Sequence, residues 1–525
     1  VMIYLLWIFV LVVAFVLFHR KIFSRFNKYG VKYFPPLPIV GNIGPLLFKT
    51  KDLSEQIDEL FLGRYELTRP VLIIRDLDLV KQIAIKDFEY FLDHRPLADS
   101  NMDPYFGRNM FSLKSQEWKD MRSALSPAFT SSKMRYMVPF MVEVSEMMMD
   151  ILKDKIMKTE VSYIDIDGRD LTTRYTNDVI ASCAFGLKVN SHKDVENEFY
   201  LMGKELANFS FSKVLLLICN RSIPCLMKYL GINMLRKIVS NFFRNIIVST
   251  IHERENKNII RQDMIHLLME AKKGKLSYEE KKSESDVGFA TVEESYVGKR
   301  DVKKVWTEDD LVAQAVLFLV AGFDTVSTTM TFLLHELALN PGIQERLVKE
   351  IDEYNHETGG ILDFNSVQHL SYLDMVISEV LRKWPPVIAT DRVCVKDYNL
   401  GRANKNSDKD YIIRKDEALL LPVWSFHHNP EYFSDPHKFD PERFSEQNRQ
   451  SIVPLSYAPF GFGPRNCIAS RFALCELKVM IYHLLQQIEV SACENTPDPV
   501  VLMKGSIDVR IGKGHWLRFK LRQKP

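Results

Sequence analysis

The fold of this chain is indicated most clearly by one turn-rich stretch, Pro459-Phe460-Gly461-Phe462-Gly463-Pro464-Arg465-Asn466-Cys467-Ile468-Ala469. Its glycines and internal proline favour tight turns and let the backbone approach a flat ligand closely. The apolar run 469–477 is predicted to be a helix, so Cys467 lies near a positive helix terminus, which favours the thiolate. Such a thiolate can ligate haem iron. The alternative is a buried structural cysteine, the commoner fate of a single thiol.

The same stretch resembles the haem-binding signature of cytochromes P450, F-x-x-G-x-R-x-C-x-G. Phe460, Gly463, Arg465 and Cys467 match it, and Ala469 stands in place of the last glycine. The resemblance implies that Cys467 is the metal ligand of a haem b group and that the other three matched residues belong to the cofactor-binding loop.

A second stretch is predicted to form a long central helix. Thr307 followed by Glu308-Asp309-Asp310 is a typical helix start, and nearly every residue after it is apolar. From 307 to 340 the helix would be about 50 Å long. Within it, a glycine and a buried acid are both costly, yet the sequence has Ala321-Gly322-Phe323-Asp324-Thr325. The Thr325 hydroxyl can bond back to the Ala321 carbonyl. The residues alone allow either a small-ligand site or a capped kink.

This pentad resembles the P450 motif [AG]-G-x-[DE]-T, which lies on the helix that crosses the haem. The resemblance implies that Ala321 contacts the haem. It also implies that Thr325 stabilises bound dioxygen and that Asp324 helps to relay protons, which makes these two the expected catalytic residues.

Two further segments resemble P450 motifs that hold the fold together. Glu379 and Arg382 form E-x-x-R, and Phe439-Asp440-Pro441-Glu442-Arg443-Phe444 resembles the companion P-E-R-F segment. On spacing alone the first pair would be a surface ion pair worth about 0.2 to 0.5 kcal/mol. The resemblance instead implies a buried structural network of Glu379, Arg382 and Arg443.

The cofactor and substrate contacts are expected on four more segments. Trp118 and Arg122 fit the W-x-x-x-R pattern, whose members contact a haem propionate in P450s, and Arg392 is expected to do the same. Phe318 and Phe111 are placed in the substrate pocket by position, with the segment 505–508 near them. An apolar lining indicates a lipophilic substrate. Lys119 and Lys478 are candidates for a docking surface.

Bulk properties exclude several other classes. Among 525 residues the formal net charge is only +2, so nothing points to nucleic acid. The seven cysteines are scattered and form no C-x-x-C pair, which argues against a disulfide framework or a zinc site. H-E-x-x-H, G-x-S-x-G and P-loop motifs do not occur, and we interpret His427-His428 as a turn.

The chain is predicted to have three parts. Residues 1–20 are nearly all apolar before a basic cluster, which favours an uncleaved transmembrane anchor over a signal peptide. Residues 21–45 form a basic and proline-rich hinge, and residues 46–525 form the catalytic domain, with an exposed charged loop at 277–304. The apolar run 214–230 is either core or a second membrane contact.

In this order, the motifs resemble those of the P450 superfamily, with insect microsomal detoxifying P450s of family nine as the closest group. The implied fold is mainly α, a helical prism with small β-sheets. The implied activity is monooxygenation of lipophilic substrates, with electrons from NADPH through cytochrome P450 reductase and with cytochrome b5 as a helper. The expected location is the endoplasmic reticulum membrane, facing the cytosol. A reductase-independent P450 isomerase or dehydratase and a haem-binding carrier or sensor are the alternatives.

Overall fold

The computed structural model describes residues 2–52, 54–55, 62–100, 103–208, 210–274, 288–292, 297, 306–402, 407–506, 508–512 and 514–523. Within them the chain is mainly helical. The helices are α1 Met2–Ile22, α2 Arg25–Lys28, α3 Gly44–Leu47, α4 Leu77–Lys81, α5 Pro104–Gly107, α6 Ser115–Leu125, α7 Ser131–Met157, α8 Gly168–Ile180, α9 Glu198–Ala207, α10 Phe211–Ser222, α11 Pro224–Leu230, α12 Lys237–Lys257, α13 Met264–Lys272, α14 Glu308–Leu339, α15 Pro341–Thr358, α16 Phe364–His369, α17 Ser371–Lys383, α18 Val423–His427 and α19 Ser470–Leu485.

The described residues form three small sheets beside the helices. Their strands are β1 Gly63–Glu66, β2 Arg69–Ile73, β3 Tyr163–Asp167, β4 Thr390–Val393, β5 Tyr398–Arg402, β6 Asp410–Ile413, β7 Ala418–Leu421, β8 Ile488–Ser491 and β9 Trp516–Leu521. The first sheet has the order β1-β2-β7-β4, in which only β2 and β7 are parallel. The others are the antiparallel sheet β3-β9-β8 and the β5-β6 ribbon.

The long helix α14 runs through the middle of the protein. The Thr307 hydroxyl accepts a hydrogen bond from the Asp310 amide, and the Asp310 carboxylate accepts one from the Thr307 amide, so the helix begins with a complete capping box. Most of its residues are buried, and it packs against α8, α9, α12 and α17. The predicted central helix is therefore confirmed, because a helix that is apolar all round is stable only inside the core.

The N-terminal helix α1 is set apart from this core. None of its 21 residues is buried, although Ile22 in its last turn contacts the body, and its length and apolar composition suffice to cross a bilayer. The following segment packs back on the body, since Phe23 and Phe26 are buried against Tyr65. The segment after α1 is therefore held on the body by side-chain contacts.

One segment of the predicted organisation can be compared with the structure only in part. The predicted exposed loop 277–304 lies largely outside the described residues, but the described part is packed: Val297 is fully buried, and Phe289 contacts Phe444 and Tyr457. Some of its few apolar residues pack on the body, which the charged composition of the segment did not predict.

Candidate active site

One internal cavity gathers most of the predicted site residues. Its volume is about 390 Å³, and it lies between α14 on one side and the Cys467 loop with the start of α19 on the other. The wall includes Trp118, Arg122, Phe318, Ala321, Thr325, Phe460, Arg465 and Cys467. Segments that are up to 349 residues apart in the chain thus meet around one space.

Cys467 faces this cavity from a loop that the backbone holds tightly. The Cys467 amide donates to the Phe460 carbonyl at 2.8 Å, and the Gly461 amide donates to the Ala458 carbonyl at 3.0 Å. The flanking Arg465 and Asn466 are buried, whereas Cys467 is exposed to the cavity. The helix α19 begins three residues later, so the predicted helix is confirmed and the thiol lies close to its positive end.

Opposite the thiol, α14 presents a small residue and a hydroxyl. Ala321 is exposed although the helix around it is buried, because this part of the helix forms the cavity wall. The Thr325 hydroxyl donates to the Ala321 carbonyl at 2.6 Å, as the sequence predicts. The Thr329 hydroxyl makes the same bond to the Thr325 carbonyl at 3.0 Å. The helix continues through these bonds, so the hydroxyls line an unbroken wall.

Asp324 turns away from this cavity. Its carboxylate pairs with Arg169 at 2.6 Å and with Arg510 at 3.2 Å. These groups line a second cavity of about 310 Å³ on the other side of α14, together with Asp170, Lys204 and His515. Burial raises the pKa of Asp324, while the two guanidinium groups oppose the shift. The two predicted catalytic residues therefore face different cavities.

The predicted charge cluster has two fully buried members and a third, Arg443, that is partly exposed. Arg382 donates two hydrogen bonds to Glu379, at 2.7 and 2.8 Å, and neither side chain is exposed. Arg443 lies 3.4 Å from the same carboxylate. The Asp440 amide also donates to Glu379 at 3.0 Å. A buried pair with this many partners costs several kcal/mol when one member is removed.

Cationic and aromatic side chains form one end of the cavity wall. Arg122 donates to the carbonyl and to the side-chain oxygen of Asn466, at 2.7 and 2.9 Å. Arg465 donates to the carbonyls of Leu92, Met110 and Leu113, and its guanidinium lies 4.0 Å above the Trp118 ring. Burial lowers the pKa of Arg465. Positive charge is thus held inside the protein next to the cavity.

Two predicted cofactor residues do not line the cavity. Arg392 is fully buried and donates to the carbonyls of Asp391 and Phe462, while its buried Nε has no hydrogen-bond partner in the described part of the chain. Gly463 packs against the backbone of Ala84, with a φ of +60°, so a side chain there would clash with the Ala84 carbonyl. The glycine at the cavity is Gly461, with a φ of +85°.

The rest of the wall is largely apolar. Phe318 contacts Phe129 edge to face at 5.5 Å, and Phe111 stacks on His94 at 4.6 Å; all four line the cavity. Of the predicted segment 505–508, no described residue reaches this wall. The sequence prediction missed His94, whose Nδ1 lies 2.9 Å from Asp391. The contact joins positions 297 residues apart, so no local pattern signals it.

Neither candidate docking lysine is free at the surface. Lys478 is fully buried and lies 3.2 Å from the Asp374 carboxylate. Lys119 is buried and donates to Glu89 at 2.7 and 2.8 Å. Both predictions are wrong, because each lysine is buried and its ammonium is already neutralised by a carboxylate.

The cavity suits a flat, anionic, metal-bearing group. A thiol and a small residue face each other across an apolar space, where a bulky side chain on either wall would obstruct a macrocycle. Arg122 and Arg465 supply buried positive charge, and the Nε of Arg392 is a buried donor without a partner nearby. In the described part of the chain, no cluster of three His, Cys, Asp or Glu side chains offers an ordinary metal site. These residues fit haem held by a thiolate.

Comparisons with known proteins agree with this geometry. The family model described as Cytochrome P450 matches residues 31–515. The chain is 40% identical to "Cytochrome P450 9e2" of Blattella germanica, with 98% of each chain covered, and 37% identical to "Probable cytochrome P450 9f2" of Drosophila melanogaster, with 95% of each covered. It is 34% identical to "Cytochrome P450 6k1" of Blattella germanica, over 94% of this chain and 92% of that one. The chain therefore belongs to the cytochrome P450 family of haem monooxygenases and is similar to its insect family-nine members.

Proposed function

We propose that this protein inserts one atom of O₂ into lipophilic substrates, xenobiotics such as insecticides or plant toxins, or endogenous lipids. NADPH would supply two electrons through cytochrome P450 reductase, with cytochrome b5 as a helper. The second oxygen atom and two protons would leave as water. The observation that carries this proposal is the single apolar cavity shared by Cys467, Ala321 and Thr325.

Cys467, Trp118, Arg122 and Arg465 would hold the cofactor. Bound here, haem would supply the iron that activates O₂, and the thiolate of Cys467 would donate electron density that favours O–O cleavage. Arg122 also fixes Asn466, the residue before the ligand, through two hydrogen bonds. Arg392 would use its buried, unpartnered Nε toward the same group.

Thr325 would position a proton at the oxygen site. Its hydroxyl donates to the Ala321 carbonyl at 2.6 Å and is close enough to the cavity to rotate toward a ligand. Asp324 would accept and release protons on the other face of α14, where Arg169 and Arg510 hold its carboxylate. The proton would then have to pass across the helix, from the polar cavity to the apolar one.

The apolar walls would exclude water and select the substrate. Phe318 and Phe111 lie in a wall of apolar side chains, so a substrate would gain mainly from burying its own apolar surface. Closing such a space to water also strengthens the electrostatic interactions within it.

The protein would act at the endoplasmic reticulum membrane, with the catalytic domain in the cytosol. The exposed apolar helix α1 supports an anchor. A second surface supports contact with lipid: Leu226, Tyr229 and Leu230 on α11 are exposed, although α10 packs through Val214 and Ile218 on Ile43 and Leu46 beside the hinge. Exposed apolar side chains next to an anchor favour a position against the bilayer.

The test is turnover of the full chain, reconstituted in lipid with cytochrome P450 reductase. Product formation from a lipophilic panel should require NADPH, O₂ and reductase, and the reduced protein with carbon monoxide should show the red-shifted Soret band of thiolate-ligated haem. Normal turnover without reductase would contradict the proposed electron route. Thiolate-ligated haem with no oxidised product from any substrate would contradict the proposed activity.

A further inference from the structure

His427 links two parts of the protein that are far apart in the chain. It ends α18 and is fully buried. The Ala458 amide donates to its Nε2 at 3.0 Å, and its Nδ1 lies 3.1 Å from the Arg382 carbonyl. An amide can only donate and a carbonyl can only accept, so Nε2 carries the lone pair and Nδ1 carries the proton. Burial lowers the pKa of His427, which also favours this neutral form.

On one side the imidazole is held by the buried charge cluster. Arg382 donates to the His427 carbonyl at 2.9 Å and receives the Nδ1–H on its own carbonyl, so the two residues exchange a pair of hydrogen bonds. Glu379 fixes the same guanidinium with two more. The Tyr457 ring stacks on the imidazole at 5.4 Å. The ring therefore has one orientation, set by its hydrogen bonds and by the stacked Tyr457 ring.

On the other side the imidazole fixes the first residue of the thiol loop. Ala458 accepts from the Gly461 amide, and the next carbonyl but one, that of Phe460, accepts from the Cys467 amide. The hydrogen bond to His427 is the side-chain contact made by the Ala458 backbone at the start of this turn. A shift of Ala458 would therefore be carried through the turn to Cys467.

We propose that His427 is a positioning residue that aligns the Cys467 loop with the Glu379–Arg382 cluster through the acceptor Nε2. This inference rests on the proposed function, since it assigns the alignment to thiolate ligation of haem. Sequence reasoning treated the His427-His428 pair as a turn, and the structure separates the two residues by what their rings contact.

His428 provides a matched control. Its Nδ1 lies 3.0 Å from the Trp424 carbonyl of the same helix, and its ring stacks on Trp424 at 4.0 Å. A change at His428 disturbs the same short helix at the neighbouring position while leaving the Ala458 hydrogen bond in place.

The experiment compares His427→Gln and His427→Asn with the same two changes at His428, in the full chain. Glutamine reaches as far as Nε2 and can accept from Ala458, whereas asparagine reaches only as far as Nδ1. We expect the asparagine variant to release haem about tenfold faster than wild type, with a smaller thiolate-ligated fraction in the carbon monoxide spectrum, because a buried amide loses its acceptor. The glutamine variant and both His428 variants should stay within about twofold of wild type.

Amide exchange in the haem-free protein is the independent readout. The peptide that contains Ala458–Cys467 should exchange faster in His427→Asn than in His427→Gln, at equal circular dichroism and equal melting temperature. A folded asparagine variant with wild-type haem release and wild-type exchange overturns the inference. If that variant fails to fold, glutamine decides: a folded His427→Gln that loses thiolate ligation overturns it, and one that keeps it supports it. A wild-type chain without thiolate-ligated haem contradicts the proposed function instead. The amide-exchange comparison then still tests whether His427 holds the Cys467 loop in place.

Discussion

The two cavities beside α14 are similar in size and opposite in chemistry. The one of about 390 Å³ has a wall of aromatic and aliphatic side chains with Cys467 and Thr325 in it. The one of about 310 Å³ is lined by Arg169, Asp324, Arg510 and other polar groups. The helix α14 separates them, so an apolar cavity and a polar cavity border the same helix.

Asp324 and Thr325 are adjacent residues that face different cavities. They are adjacent in the sequence and belong to one motif, yet successive side chains on a helix point about 100° apart. One therefore pairs with Arg169 and Arg510, and the other lines the cavity of Cys467. The two polar side chains of one motif therefore face two different cavities.

The largest expected effect comes from replacing the Cys467 thiol. Cys467→Ser removes the thiolate from the apolar cavity, and we expect loss of the red-shifted carbon monoxide band and at least about a hundredfold loss of product formation, since the electron-donating ligand is gone. Cys475→Ser, at a buried thiol that does not line the cavity, is the control. Retained turnover in Cys467→Ser would remove this residue from the site.

Removing the hydroxyl from the apolar side should separate electron use from product. In Thr325→Val we expect NADPH consumption within about threefold of wild type and product per NADPH reduced about tenfold, because a positioned donor is lost and the shape is kept. Thr329→Val, one turn along the same wall, should keep its product yield. Equal yields in the two variants would contradict the role of Thr325.

Neutralising the polar side should slow turnover without uncoupling it. Asp324→Asn keeps the size of the side chain but cannot take up a proton, so we expect kcat to fall about tenfold or more with a larger solvent deuterium isotope effect. Product per NADPH separates this result from that of Thr325→Val. If the two variants behaved alike, the two cavities would not divide the work between them.

Changing one aromatic residue in each cavity should have a smaller effect on activity and should show which cavity selects the substrate. Phe318→Leu alters the apolar wall and should change the relative kcat/KM of two substrates of different size by about 10-fold or more. Phe323→Leu, which borders the polar cavity, should leave that ratio unchanged. A change in the ratio from Phe323→Leu alone would place substrate on the wrong side of the helix.

The smallest expected effect is the pH dependence of stability that His515 contributes. Burial lowers its pKa to about 3 on the wall of the polar cavity. The unfolded chain therefore binds a proton near pH 6.5 that the folded chain takes up only near pH 3, so stability is full above pH 6.5 and falls as the pH drops through this window. Between pH 7.5 and 5, His515→Gln should lose about 2 kcal/mol less than wild type in denaturant unfolding.

His356→Gln, at an exposed position, is the control for that measurement. If His515→Gln kept the full wild-type pH dependence, the cavity would hydrate the imidazole well enough to leave its pKa ordinary.

Much of the site was predictable because its chemistry is written in short stretches. The thiol loop, the start of α14 and the back-bonded Thr325 depend on hydrogen bonds to neighbours within seven residues, and local geometry governs them. The Glu379–Arg382 pair is one helical turn, so its contact could also be predicted, although its complete burial could not.

Other features depended on partners that no local pattern reveals. Lysine is usually a surface residue, and only the fold shows that Lys478 is internal and paired with Asp374. Gly463 belongs to the haem signature, yet its close neighbour is the backbone of Ala84. His427 has no distinguishing context in the sequence, but it meets Arg382 and Ala458 in the fold.

From the amino-acid sequence, the resemblance to P450 motifs indicated the groups that are expected to carry the chemistry: the Cys467 thiol, the Thr325 hydroxyl, the Asp324 carboxylate and the helix that bears two of them. The residues alone left a structural cysteine and a capped kink open. The hydrogen bond within a turn of the helix was predictable from spacing, because it and the 3.6-residue period are local properties. Only the tertiary structure decided which cavity each group faces and which charges are neutralised. Those outcomes depend on contacts such as Asp324 with Arg169 and Arg510, which join residues 155 and 186 positions apart.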